Sequence, residues 1–177
     1  MKRLIVFRHA KAGPHDAAHD KERALIDRGR SDAALMGRAM RDKGYLPDLV
    51  LCSSAKRTME TWEYAAPALG AKPEVRFLDA LYDAPEKSIL KTIGGVKQSA
   101  PVLMYIGHNP GLENLARKLV RKSAKDTSEQ KQRAAMEKKF PTSAFAVVDF
   151  DLKAWTDIDF GEGALFDFLT PADVKDS

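Results

Sequence analysis

The sequence predicts a single α/β domain over residues 1–177, with a mostly parallel central sheet and antiparallel additions at one edge. Short apolar runs alternate with helical patterns along the chain, which is typical of βαβ units. The composition, 44% apolar and 31% charged, is that of a globular chain long enough to bury a full core. The sequence contains no internal repeat, low-complexity tract or linker that would divide it.

Apolar patterning and chain breakers place the individual elements in order. Residues 2–7 alternate too little for a half-exposed strand, which predicts a strand buried on both faces. Apolar residues at i, i+3, i+4 and i+7 predict a helix over 32–43, and Gly44 ends it. Further strands are predicted at 49–52, 75–78, 102–106 and 144–150, and further helices at 55–69, at 85–98 and from Pro110. After residue 150, short alternating segments surround a turn at 161–163 and predict the antiparallel additions.

The cysteine count, the net charge and the hydropathy of the chain limit which cellular compartment and which binding partners are expected. Cys52 is the only cysteine, so a disulfide within the chain and a zinc site built on thiolates are both excluded. No apolar run is long enough for a membrane span, and the first residues lack the pattern of a signal peptide. A cytoplasmic protein without membrane contact is therefore expected. The net charge of +4 is mild and fits an anionic ligand.

Much of the positive charge lies in the basic segment 117–139, which is predicted to be helical up to Pro141. The segment could form a nucleic-acid surface, but it holds no aromatic residue for base stacking, and three acidic residues interrupt it. A solvated helix face is therefore favoured, and no nucleic-acid partner is expected. Whether the segment guides a partner protein stays open.

Chemically useful side chains follow four of the predicted strands. Arg8 and His9 follow the first, Ser53 and Arg57 the second, Asp83 the third, and His108 and Asn109 the fourth. The carboxyl ends of parallel strands meet at the edge where open α/β sheets bind their ligands. Two arginines and two histidines from distant parts of the chain are therefore expected to converge at one rim.

This set of side chains favours phosphoryl transfer. Guanidinium groups present forked donors that match phosphoryl oxygens, and a neutral imidazole can attack phosphorus and carry the phosphoryl group. A second histidine can stabilise charge on the transferring group, and helices that begin beyond the strands add N–H donors. Acyl transfer fits less well, because the sequence has no G-x-S-x-G motif and a neutral ester needs no arginine. The candidate contacts to phosphate or another oxyanion are Arg8, Arg57, His108, Asn109, Lys11 and Ser53.

A rival interpretation is a metal site in the segment His15-Asp16-Ala17-Ala18-His19-Asp20, since two histidines at i and i+4 share one helix face. The segment has no apolar stripe that would stabilise such a helix, and no third ligand is evident elsewhere. A solvated loop is therefore favoured, and neither a metal nor another cofactor is expected.

Four motifs in this order resemble the histidine phosphatase (phosphoglycerate mutase-like) superfamily. They are V-F-R-H-A at 6–10, L-I-D-R-G-R at 25–30, S-S-A-K-R-T-M-E-T at 53–61 and G-H-N-P-G at 107–111. The short chain, L-Y-D-A-P-E at 81–86 and G-H-N-P-G-L are similar to SixA-type phosphohistidine phosphatases within it. The resemblance implies a three-layer α/β/α sandwich and a hydrolase. It implies that His9 is the phosphorylated nucleophile and that Arg8, Arg57 and His108 complete the phosphate pocket.

Two departures from the family pattern bear on the substrate. Ala10 stands where the family has glycine, which is acceptable unless that position needs a positive φ. The acidic residue that larger members use as a proton donor has no clear counterpart, and only Asp79 and Asp83 lie near its position.

A missing acid favours phosphohistidine as the substrate, because imidazole, whose conjugate acid has a pKa of about 6.5, leaves with little help. The expected partner is therefore a phosphorylated signalling protein. The alternatives are a phosphomonoesterase or mutase that acts on a small phosphorylated metabolite, and a phosphate-binding module without catalysis.

Overall fold

The computed structural model describes residues 1–122 and 126–177. Within these ranges the chain forms six strands and six α-helices. The strands are β1 (Lys2–Arg8), β2 (Leu49–Ser53), β3 (Glu74–Leu78), β4 (Val102–Gly107), β5 (Phe145–Phe150) and β6 (Ala164–Leu169). The helices are α1 (Asp27–Asp42), α2 (Lys56–Leu69), α3 (Glu86–Gly94), α4 (Gly111–Leu119), α5 (Thr127–Lys138) and α6 (Pro171–Lys175).

All six strands form one mixed sheet in the order β3-β2-β4-β1-β5-β6. Strands β1 to β4 run parallel to one another, whereas β5 pairs with β1 in the antiparallel sense and β6 pairs with β5 in the same way. The prediction of a mostly parallel sheet with antiparallel strands at one edge is confirmed. Strand β1 lies inside the sheet between β4 and β5, which explains why its residues 4–7 are fully buried.

The core consists of two apolar layers, one on each face of the sheet. Alternate residues of β1 enter different layers, because successive side chains of a strand point to opposite faces. Leu4 lies in the layer that α3 and α4 cover, and Ile5 lies in the layer that α1 and α2 cover. The three-layer α/β/α arrangement is therefore confirmed.

Two predicted helix bounds are wrong. Helix α1 begins at Asp27 instead of residue 32, because its first turn packs on the chain beyond β1, a tertiary contact that leaves no apolar periodicity in the sequence. Helix α3 ends at Gly94 instead of residue 98, where the backbone N–H of Gly95 bonds to the last turn.

The prediction of one helix through the basic segment 117–139 is also wrong. Helix α4 ends at Leu119, and Val120 then takes an extended conformation and forms a parallel bridge with Gly163. Helix α5 begins at Thr127, and the Asp126 side chain caps it by accepting a hydrogen bond from the N–H of Glu129. The part of the predicted helix at 123–125 lies outside the described residues.

No helix in the described ranges has the length and apolar character that crossing a membrane requires.

Gly29 sets how closely α1 approaches the chain that follows β1. A Cβ built on Gly29 would overlap the carbonyl oxygen of Lys11. Gly29→Ala is therefore expected to lower the free energy of unfolding by about 1–3 kcal/mol, although alanine favours helices. Urea unfolding measures this change. Gly13→Ala is the matched control, because its Cβ would meet only the Ala24 oxygen at 3.8 Å; equal stability of both variants would contradict the close contact.

Candidate active site

A cavity of about 560 Å³ opens at the carboxyl ends of β1, β2 and β4, and all four residues of the expected arginine–histidine set line it. Arg8 ends β1 and His9 follows it, Arg57 lies in the first turn of α2, and His108 follows β4. The ring centroids of His9 and His108 are 5.3 Å apart. Helix, strand and loop packing therefore bring together residues that lie up to 100 positions apart in the chain.

The environment of His9 fixes its protonation. Its Nδ1 lies 2.7 Å from the carbonyl oxygen of Ala10, and because a carbonyl only accepts, the ring hydrogen is on Nδ1 and the lone pair is on Nε2. Burial, helped by the positive charges of Arg8 and Arg57, lowers the pKa of His9 to about 3. Near neutral pH the imidazole is therefore uncharged, and its Nε2 can act as a nucleophile.

Ala10 is compatible with this geometry. It is absent from the non-glycine residues with positive φ, which in the described ranges are Asp83 and Ser143. Its N–H donates to Thr61 Oγ1 at 2.9 Å. The departure from the family's glycine therefore introduces no backbone strain next to His9.

His108 is held by Ser53. The Ser53 Oγ lies 2.8 Å from His108 Nε2 and also accepts from the N–H of Ala55 at 3.4 Å. When this hydroxyl gives its hydrogen to Nε2, the ring hydrogen of His108 is on Nδ1. Burial, followed by the charge of Arg57, lowers the pKa of His108 to about 3. His108 is therefore neutral near pH 7, and in this tautomer its Nδ1–H is a donor without a protein partner. Ser53, which is fully buried, holds the ring at Nε2.

Buried polar atoms without partners concentrate in this cavity. Across the described residues five buried side-chain atoms lack a hydrogen-bond partner: Arg8 Nε, Arg57 Nε, His108 Nδ1, Asn109 Oδ1 and Ser143 Oγ. Four of these belong to residues that line the cavity. An unpaired buried donor costs about 1–3 kcal/mol, so three buried donors around one cavity indicate a site for an anion.

The side chains of Asn109 and Arg8 share one anchor. Asn109 Nδ2 donates to the carbonyl oxygen of Phe140 at 3.0 Å, and Arg8 Nη1 donates to the same oxygen at 2.9 Å. Lys11 also lines the cavity, but its side chain is exposed at the rim. The structure thus places Arg8, Asn109 and Lys11 at the cavity and Ser53 behind it.

Neither candidate proton donor lines the cavity that holds His9. The Asp79 side chain is 83% exposed, and it pairs with Lys21 Nζ at 3.0 Å and with the Ser54 hydroxyl. Asp83 lies on an adjoining cavity of about 220 Å³, which it shares with His108 and Asn109. Both carboxyl groups are therefore outside the described lining of the main cavity.

Three residues of this region were not predicted as site residues. Arg23 lines the cavity, and Asp20 accepts hydrogen bonds from Arg57 Nη2 at 3.2 Å, from Arg23 Nε at 3.1 Å and from the Tyr82 hydroxyl at 2.5 Å. The Tyr82 hydrogen bond and the charge of Arg57 lower the pKa of Asp20 to about 2. The carboxylate is therefore ionised at any working pH.

The histidine pair of the segment 15–20 is not arranged as a metal site. His19 Nδ1 lies 3.2 Å from Asp16 Oδ2, and His15 Nδ1 is 4.0 Å from Asp20 Oδ1. The Asp20 carboxylate already accepts hydrogen bonds from Arg57 and Arg23. No cluster of three or more metal-binding side chains occurs in the described ranges. The favoured loop interpretation agrees with this geometry, since Asp20 alone among the residues of the segment belongs to a regular element, the 3₁₀ turn at Asp20–Glu22.

The buried histidines couple stability to pH. Their native pKa values, about 3 for His9 and about 3 for His108, lie below the value of about 6.5 in an unfolded chain. Below pH 6.5 the unfolded state binds more protons, so the free energy of unfolding is expected to fall as the pH falls towards 3. The slope is up to about 1.4 kcal/mol per pH unit for each histidine.

Urea unfolding at pH 7 and pH 5 measures this loss. The loss should be smaller in His9→Asn than in the wild type, whereas His19→Asn, which replaces an exposed loop histidine, should leave it unchanged. An unaltered loss in His9→Asn would contradict the burial of a neutral imidazole.

Comparisons with known proteins agree with the fold. No family model matches the chain. An uncharacterized protein of Mycobacterium tuberculosis is 32% identical over 165 residues, which cover 93% of this chain and 99% of the relative. The structure of a candidate phosphohistidine phosphatase SixA from Nakamurella multipartitia superposes with a TM-score of 0.80 at 28% identity and covers 96% of each chain.

A second solved structure, a candidate phosphohistidine phosphatase SixA from Agrobacterium tumefaciens, gives a TM-score of 0.77 at 28% identity. It covers 96% of this chain and 98% of that one. Likeness over nearly the whole of each chain, in sequence as well as in fold, shows that this chain belongs to the SixA-like group of the histidine phosphatase superfamily.

Proposed function

We propose that the chain is a phosphatase that works through a phosphorylated His9 and removes phosphate from phosphohistidine on a signalling protein. One observation carries the proposal: a neutral imidazole with its lone pair on Nε2 lies in a cavity whose buried donors lack partners. The two SixA structures named above, described as phosphohistidine phosphatases, support it.

The first step transfers the phosphoryl group to the protein. His9 Nε2 attacks phosphorus and forms an N–P bond, while the bond from phosphorus to the leaving group breaks and its electron pair leaves with that group. Arg8 Nε, Arg57 Nε and His108 Nδ1–H are the donors for the phosphoryl oxygens, whose charge is spread in the transition state. Positive charge comes from the arginines, so the proposed step needs no metal.

The second step frees His9. Water attacks phosphorus from the side opposite Nε2, a P–O bond forms, and the N–P bond breaks with its electron pair returning to Nε2. One hydrogen of the water stays on the new phosphate oxygen and the other passes to solvent. The products are inorganic phosphate and neutral His9, ready for another cycle.

The charge state of the cavity supports phosphohistidine over an alcohol ester. An alkoxide needs a proton as it leaves, whereas a phosphohistidine whose other ring nitrogen already carries a proton leaves as neutral imidazole. Asp20 is the carboxyl group that bonds to Arg57, but its lowered pKa keeps it ionised and unable to give a proton. Asp79 and Asp83 lie outside the described lining of the cavity.

The surroundings of the cavity fit a protein substrate in the cytoplasm. Lys11 and His15 line the cavity and are exposed, so a histidine on another protein can reach the rim. Cys52, the one cysteine, is a buried free thiol, which suits a reducing compartment.

One observation favours a second candidate, a phosphomonoesterase. Asp83 shares the adjoining cavity with His108 and Asn109, where a carboxyl group could donate a proton to an alcohol that extends from the main cavity. The expected difference is large, because a general acid contributes about 10²–10⁴-fold to a reaction that needs one.

A pair of peptides that differ only in phosphohistidine or phosphoserine separates the two functions. The phosphohistidine peptide is expected to have a kcat/KM at least about 100-fold higher, and Asp83→Asn should leave that value unchanged. Faster hydrolysis of the phosphoserine peptide, abolished in Asp83→Asn, would establish the phosphomonoesterase instead. Initial rates of phosphate release measure both.

A further inference from the structure

The carboxylate of Asp20 bonds to the guanidinium group that the proposed function assigns to phosphate. We propose that Asp20 is an internal counter-anion that competes with phosphate for Arg57 and so weakens the retention of the product. This inference rests on the part of the proposed function that makes the cavity a phosphate site, and it does not depend on turnover.

Asp20 accepts one hydrogen bond from each of the two terminal nitrogens of Arg57. Arg57 Nη1 donates to the Asp20 carbonyl oxygen at 2.8 Å, and Nη2 donates to the carboxylate Oδ2 at 3.2 Å. The side chain of Arg57 is 7% exposed and that of Asp20 is 25% exposed. This ion pair is therefore shielded from water on the arginine side, where an ionic contact is stronger than at an open surface.

The same carboxylate reaches a second arginine of the cavity. Arg23 Nε donates to Asp20 Oδ1 at 3.1 Å, while the Tyr82 hydroxyl donates to Oδ2 at 2.5 Å. His15 Nδ1 lies farther away, at 4.0 Å from Oδ1. Asp20 thus joins two guanidinium groups that line the cavity on different segments of the chain.

A count of charges shows what this carboxylate does to the cavity. Arg8, Arg23 and Arg57 each contribute one positive charge, and His9 and His108 are neutral. These three charges and the carboxylate of Asp20, which pairs with two of the arginines, sum to about +2, which balances a phosphate dianion. Glu113, whose charge also acts on Arg8, lies outside the described lining of the cavity. Without Asp20 the same groups hold one positive charge more than the ligand neutralises. Lys11 adds charge only at the exposed rim, where water screens it.

This balance matters for release, because every donor that stabilises the transferred phosphoryl group also binds the product. When phosphate enters, it bonds to the free Nε of Arg57 while the Asp20 carboxylate stays on Nη2, so two anions share one guanidinium group. When phosphate leaves, the carboxylate remains as the counter-charge, so Arg57 is never left as an unpaired buried charge. Asp20 therefore offsets part of the affinity that three arginines would otherwise give to inorganic phosphate.

A purely structural role makes the opposite prediction. If Asp20 only held Arg57 and Arg23 in place, its loss would loosen both guanidinium groups, and phosphate would bind more weakly. If Asp20 acts as a counter-anion, its loss removes the competitor and phosphate binds more tightly. The sign of the change in the phosphate dissociation constant decides between the two roles.

The experiment measures binding of inorganic phosphate by isothermal titration calorimetry at pH 8 and low salt. Asp20→Asn keeps the shape of the side chain and removes its charge, and we expect its Kd to be at least about tenfold lower than that of the wild type, which corresponds to about 1.4 kcal/mol. Asp16→Asn is the matched control, because Asp16 is an exposed carboxylate of the same loop that contacts only His19 and the N–H of Ala18 through its side chain. Its Kd should equal the wild-type value.

Tyr82→Phe separates charge from hydrogen bonding, since it removes one donor to Asp20 and no charge. It should change the Kd by less than about threefold. An unchanged or higher Kd in Asp20→Asn, or a tenfold lower Kd in Tyr82→Phe, overturns the proposal. Should Asp20→Asn fail to give a cooperative thermal transition, Asp20→Ser makes the same charge change.

The two proposals can fail separately. Absence of hydrolysis in the wild type together with tighter phosphate binding in Asp20→Asn would overturn only the proposed activity. Normal hydrolysis with an unchanged Kd in Asp20→Asn would overturn only the counter-anion.

Discussion

His9→Ala is expected to lower the turnover of a phosphohistidine peptide by about 10⁴-fold or more and to abolish the phosphorylated form of the protein. The expected size reflects the loss of the nucleophile, for which the donors around the cavity cannot substitute. Intact-protein mass spectrometry after a brief reaction and an alkaline quench measures the adduct, because a phosphorylated imidazole survives alkali and is lost in acid. Peptide mapping should assign the added phosphate to His9.

His19→Ala is the matched control for this experiment. His19 is an exposed histidine that hydrogen-bonds to Asp16 outside the cavity, and its loss should change neither turnover nor the adduct. An adduct that persists in His9→Ala, or full turnover without any adduct, would contradict the covalent route. Absence of both adduct and turnover in the wild type, with phosphate still bound, would instead indicate a phosphate-binding module.

Elements whose signals are local could be predicted from the sequence. The strand over residues 2–7 and the helix end at Gly44 are examples, and Gly44 has a positive φ of 76° that only glycine adopts freely. The start of α1 could not be predicted in this way. Its first turn is polar, and Gly29 is helical there because it packs on the backbone of Lys11.

The break between α4 and α5 has the same kind of origin. Val120 leaves the helix to pair with Gly163, a residue of the distant chain segment just before β6, and the N–H of Arg121 donates to the Gly163 oxygen at 2.8 Å. The basic segment shows helix-forming residues on both sides of this point. The helix therefore breaks because of a contact with a residue far along the chain, and a local sequence pattern does not reveal such a contact.

The convergence of Arg8, His9, Arg57 and His108 could be predicted because each lies at or soon after the carboxyl end of a strand, and the carboxyl ends of parallel strands meet at one edge. Asp20 and Arg23 belong to no such element. They reach the cavity because the segment after β1 folds back on itself, with Ala12 paired to Leu25. In the sequence Asp20 is close to two histidines, so the pattern indicates a candidate metal ligand. Only the structure shows that its carboxylate accepts a hydrogen bond from Arg57.

Arg57→Ala is expected to lower kcat/KM for the phosphohistidine peptide by about 10³-fold, which is the lower end of the range for an arginine that stabilises a transferring phosphoryl group. Arg57→Lys should recover little of this loss. Lysine keeps the charge, but it lacks the Nε–H that is buried without a partner in the cavity, and it cannot make the forked contact to two oxygens. Initial rates at substrate concentrations below KM measure the ratio directly.

Arg38→Ala is the matched control, because Arg38 is an exposed arginine of α1 that does not line the described cavity. Its kcat/KM should be within about twofold of the wild-type value, since substitutions at such positions have small effects. The decisive comparison is between the two Arg57 variants. If Arg57→Lys stays near the wild type, charge alone is sufficient and the geometry of the guanidinium group is unimportant. If it falls almost as far as Arg57→Ala, the transferring phosphoryl group requires the directed donors of the guanidinium group and not its charge alone.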